Sequence, residues 1–100
     1  MIIRMFPIVG DFGEDKDAAS AIRKEKIAKT VEAGKVVTLD FDKVTLVTQS
    51  FIHALISDVL RTRGENVLDL LEFRNCSDVV QGIISTVVQY SLDSMQEDGP

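Results

Sequence analysis

Hydrophobic and polar positions alternate in two rhythms along this chain, one fitting strands and one fitting helices. Ile2 to Phe6 is apolar apart from Arg4 and is followed by Pro7, which predicts a short strand running into a loop over 7–17. Residues 16–33 are rich in alanine, lysine, glutamate and isoleucine, and Gly34 follows where a left-handed cap would end a helix. The apolar face of this first helix is ragged, because Ile22 and Ile27 fall on different sides of an ideal wheel. Partial packing through Ala21, Ile27, Ala28 and Val31 is therefore expected.

Lys35 to Phe41 is β-branched and nearly continuous in apolar character, as befits a central strand covered on both faces. Residues 42–47 read as a connector. The second helix is the clearest element: Ile52, Leu55, Ile56, Val59 and Leu60 recur at helical spacing after a cap at Thr48 or Ser50. It ends in Arg61-Thr62-Arg63-Gly64, with cations in the last turn and a glycine beyond them. Asn66 to Phe73 reads as a third strand. Ser77 and Asp78 then open a stripe of Val80, Ile84, Val87, Val88, Leu92 and Met95, although Gly82 and the β-branched run 85–90 leave a strand there as the alternative.

Strand and helix alternate throughout, which predicts an α/β fold: a small parallel or mixed sheet of three to four strands with helices packed against it. One hundred residues leave room for a single domain, 1–100, with 96–100 read as a flexible tail. Eleven basic against sixteen acidic side chains give a net charge of −5, which argues against nucleic acid as the main partner. No apolar run approaches the ~20 residues that span a bilayer, so no membrane segment is expected, and the N-terminal hydrophobic run reads as a strand rather than a leader. One cysteine, Cys76, allows no internal disulfide and no thiolate zinc cage, which favours a reduced, cytoplasmic setting.

The candidate chemistry is sparse. Asp40 and Asp42 alternate at the end of the central strand and, with Asp11, Asp15 and Asp17, supply hard oxygen donors, but solvated carboxylates explain them as well. His53 stands three residues after Ser50 on one helix face, yet no Gly-x-Ser-x-Gly elbow or orienting carboxylate accompanies the pair. Gly10-Asp11-Phe12-Gly13 is not followed by Lys-Ser or Lys-Thr and lies among acids, which rejects a nucleotide loop. Arg23, Lys24, Lys26 and Lys29 alternate with Glu25 and Glu32 and read as a solvated helix face. No catalytic residue, cofactor or metal is assigned, and the chain is read as a non-enzyme. Thr48-Gln49-Ser50 opens the second helix, where a hydroxyl either caps the helix or accepts a phosphoryl group that the helix N-terminus favours.

At that junction the sequence resembles the STAS superfamily of anti-sigma-factor-antagonist-like domains, in particular a STAS-like branch of uncharacterised bacterial proteins. GEDKDAASA, from Gly13 to Ala21, is similar to the Gly-x-x-Asp-Ala start of that family's first helix. VVTLDFDKVTLV, from Val36 to Val47, resembles its hydrophobic strand, and LRTRGENVLDLLEF, from Leu60 to Phe73, its helix end, turn and next strand. Ser77-Asp78-Val79-Val80 resembles the start of the following helix. The resemblance implies a partner-switching regulatory domain working with a GHKL-type kinase or ATPase. The antagonist motif departs from the pattern here: Gln49 stands in the phospho-serine slot, while Ser50-Phe51 matches the STAS-like branch. The implied acceptors are Ser50 first and Thr48 second, and the implied partner-binding residues are Asp40, Asp42, Thr48, Gln49, Ser50, Phe51 and His53. The alternative is a small-ligand or metal binder, or weak enzyme, using Asp40, Asp42 and His53. The exposed edge of so small a sheet also admits a homodimer.

Overall fold

The computed structural model describes residues 1–96, with side chains through 94. Strand β1 is Ile2–Arg4, followed by a single helical turn, α1, at Phe6–Val9. Pro7 sits in the first turn of α1, where its missing N–H costs nothing, so the expected strand stops at Arg4 and Phe6 belongs to the turn. Strand β2 is Phe12–Gly13. Helix α2 occupies 16–32, β3 is Val37–Asp40, β4 is Leu46–Val47, and helix α3 occupies 49–63. A 3-10 segment at Glu65–Leu70 precedes β5, Leu71–Arg74, and helix α4 spans Asp78–Gln96.

The strands form two parallel sheets, one ordered β1-β3-β5 and a two-stranded ribbon of β2 and β4. Helices therefore join parallel strands, as the α/β reading requires. The strand order advances in one direction, and right-handed crossovers taken that way put their helices on the same side of the sheet. Alternation follows: Ile3, Val37, Leu39 and Leu71 are buried, whereas Ile2, Arg4 and Arg74 on the opposite side are exposed. Thr38 is the exception on that side. It lies in register between Ile2 and Glu72 and stays buried.

Two helices contain a π-helical stretch, at Arg23–Ile27 in α2 and His53–Ser57 in α3. The first resolves the ragged wheel. Ile22 and Ile27 would be about 140° apart on an ideal α-helix, but the wider turn between them brings both to the core side. Ala19, Ile22, Ile27 and Val31 are all buried, while Ala21 is exposed. Arg23 is not part of a solvated face either. Its Nη1 donates to the Ala54 carbonyl at 2.9 Å and its Nε lies 4.0 Å from the Asp58 carboxylate, so it links the two π turns.

The segment 66–70, expected as strand, is instead 3-10 helix, opened by the Val67 N–H donating to the Gly64 carbonyl at 3.2 Å. Its apolar run anchors that short helix: Val67 is buried and Leu68 and Leu70 pack against the core. Residues 85–90 are helical, and α4 continues through Met95 and Gln96, so the expected tail begins later than position 96. Positions 97–100 lie outside the described residues. The connector 42–47 contains β4, a strand too short for periodicity to reveal.

Candidate functional site

The N-terminal edge of α3 is built by one capping bond and one anchor. Thr48 is extended and its Oγ1 accepts the Phe51 N–H at 3.0 Å, so the cap belongs to Thr48 and not to Ser50. Phe51 is fully buried, as is Ile52. Of the two readings of Phe51, packed anchor and partner-facing aromatic, the structure selects the anchor. With 51 and 52 turned inward, helical geometry turns Gln49, Ser50 and His53 outward together, and all three are exposed.

These side chains line a shallow hollow of about 240 Å³ whose opposite wall is Thr86, Val87 and Tyr90 of α4. Tyr90 is 68% exposed. The α4 residues were missed in the sequence, since nothing in their spacing shows which helix they will face; the only signal is an aromatic off the apolar stripe. Ser50 and His53 do share one face, as their separation predicts.

Asp40 and Asp42 are elsewhere. They line a cleft of about 310 Å³ at the carboxyl ends of the strands with Arg4, Phe6, Pro7 and Lys43. Register sets Arg4, Asp40 and Arg74 side by side across β1, β3 and β5. Asp40 Oδ1 accepts from Asn75 Nδ2 at 3.0 Å and from the Asp42 N–H at 3.0 Å. The Asn75 bond, then the Asp42 N–H, then the charges of Arg4 and Arg74 hold the Asp40 carboxyl below its usual value against a small opposing effect of burial. Lys43 places its ammonium 5.8 Å from the centre of the Phe6 ring.

The trio proposed for ligand or metal chemistry is thus divided, with His53 in one hollow and the two aspartates in another. Among the described residues, no three His, Cys, Asp or Glu side chains gather as metal ligands would. Cys76 is half-buried near a third hollow with Phe73, Asn75 and Ile84, and burial, then the Asp40 charge, push its thiol up. That shift disfavours the nucleophilic thiolate. Among the described residues, no helix is long and apolar enough to cross a membrane.

A two-layer arrangement of small parallel sheets and packed helices, with a polar face opening on a helix N-terminus, defines the class of domain. A family model described as a STAS-like domain of unknown function (DUF4325) matches residues 18–81, and the chain belongs to that family. The matched stretch runs from α2 into α4 and includes the whole of α3. No curated protein and no solved structure gives a match to this chain.

Proposed function

We propose that this STAS-like domain is a non-enzymatic regulatory module that presents the start of α3 to a GHKL-type kinase or ATPase, gated by phosphorylation of Ser50. The observation that carries the reading is the division of labour at that edge: Thr48 makes the cap and Phe51 the anchor, which leaves Ser50 exposed beside His53 and Gln49. A phosphoryl group on Ser50 would sit in the first turn of a helix running over 49–63, where the positive end of the macrodipole favours it. It would add about two negative charges to the hollow and so change which partner surface fits there. Thr48 is the weaker acceptor, because its hydroxyl is engaged with the Phe51 N–H.

The test is intact-mass measurement after incubation with a GHKL-type kinase and ATP, on the parent and on Ser50→Ala. One added phosphate on the parent and none on the variant is the expected result. An unmodified parent ends the phosphorylation reading. A second reading, a small-ligand binder, is favoured only by the strand-end cleft, the position where ligands of parallel α/β sheets collect. Metals and nucleotides that raise the melting temperature by linkage would support it.

A further inference from the structure

The ribbon of β2 and β4 has two unlike faces. Gly13 and Val47 form the inner one. A Cβ at Gly13 would stand 3.2 Å from Val47 Cγ1 and 3.3 Å from the Phe51 ring, so this face is pressed onto the core. Side chains alternate along a strand, and the register pairs Phe12 with Leu46 on the outer face. Both are substantially exposed, at 42% and 46%. An aromatic and an aliphatic side chain thus lie side by side on the solvent face of a ribbon too small to require them for its own packing.

The charges around this pair have one sign. Residues 11–17 carry Asp11, Glu14, Asp15 and Asp17 against Lys16 alone, and all five are exposed. The acidic loop is tied to the ribbon, because the Thr45 N–H and the Thr45 hydroxyl both donate to the Asp11 carbonyl, at 2.8 and 3.1 Å. Ser77, at the start of α4, donates to the Thr45 carbonyl at 3.2 Å and steadies the same strand from the other side. The patch is therefore held on fixed backbone.

We infer that the outer face of this ribbon is a docking surface for a basic amphipathic segment of a partner protein, its apolar stripe meeting Phe12 and Leu46 and its Lys or Arg side chains meeting Asp11 and Glu14. Charge complementarity selects that occupant. A second copy would bring the same carboxylates against these ones, within a chain of net charge −5. Anionic lipid and nucleic acid are repelled for the same reason. The surface is distinct from the hollow at Ser50 and does not depend on phosphorylation.

The test titrates the isotope-labelled full chain with a synthetic Leu/Lys peptide of about 18 residues designed with one apolar helical stripe, followed by amide chemical shifts. The expected perturbations centre on 11–14 and 45–47. Phe12→Ser combined with Leu46→Ser weakens binding by about tenfold or more, as loss of central apolar anchors does. Asp11→Asn with Glu14→Gln, which leaves the apolar pair intact, weakens binding and flattens its salt dependence. Should the serine variant fail to fold, the charge variant carries the test. Perturbations centred on 49–53 or 86–90, equal binding of a scrambled peptide of the same composition, or parent-like affinity of the folded variants would each overturn the inference.

Discussion

The strand-end cleft and the α3 edge are both polar openings near the carboxyl ends of strands, yet their polar groups are committed differently. In the cleft region Asp40 is held by Asn75 and by the Asp42 N–H, between the charges of Arg4 and Arg74. At the α3 edge the capping bond is made by Thr48, and Gln49, Ser50 and His53 project from a helix whose anchor lies beneath them. A charged group tied to its neighbours helps fix three strand ends in register. A hydroxyl held above a buried ring is available to something outside the molecule. The richer cluster of charge is thus the more structural of the two, and the plainer edge is the better candidate for regulation.

That contrast fails first if the edge lacks its anchor. Phe51→Ala removes a fully buried ring from the core, with an expected loss of about 3–5 kcal/mol in urea unfolding. A loss below about 1 kcal/mol would show that the edge is not fixed from below. Next in size is Thr48→Ala, which strips the cap from the Phe51 N–H and should cost about 1 kcal/mol. Ser50 can accept the capping role only if the helix start shifts, so an unchanged midpoint for Thr48→Ala would mean that the two hydroxyls are interchangeable.

Much of this arrangement was legible in the sequence because periodicity survives where an element is long. The apolar repeat from Ile52 to Leu60 and the arginine-glycine ending located α3 to within a residue or two, and Val37 to Asp40 emerged as the central strand. What escaped was short or tertiary in origin. The ribbon of β2 and β4 has two residues in each strand, too few to show a period of two. The π turn in α2 inserts an extra residue between Ile22 and Ile27, which an ideal wheel misreads as a broken face. Leu68, Leu70 and Leu71 have the same chemistry in strand or helix, and only Gly64 and the following turn decided for the 3-10 segment. For the site, Ser50 and His53 were readable from helix spacing, but their neighbours Thr86 and Tyr90 come from a helix more than thirty residues away. Asn75, which binds Asp40, likewise depended on β5 lying beside β3.

A smaller effect sharpens the cleft side of the comparison. Asp40 is more acidic in the fold than in the unfolded chain, so ionised Asp40 contributes stability that is fully present above the unfolded value, about 4, and is lost as pH falls through the folded one. Asp40→Asn should therefore lie closest to the parent in strong acid and fall further below it as pH rises to neutrality. Equilibrium unfolding of both proteins across that range measures the convergence. Parallel stability curves would show that the row of Arg4, Asp40 and Arg74 does no electrostatic work at the sheet ends.

The smallest expected change is the one at Ser50 itself. An exposed serine in the first helical turn, with capping already supplied by Thr48, contributes little to folding, so Ser50→Ala should stay within about 0.5 kcal/mol of the parent. Ser50→Asp places a carboxylate where the helix dipole favours negative charge and should raise stability by a few tenths of a kcal/mol, roughly 0.3. Midpoints in matched urea titrations resolve the order of the three proteins. If alanine costs as much as the loss of the Thr48 cap, Ser50 is part of the helix start, and the distinction between a committed cleft and an available edge disappears.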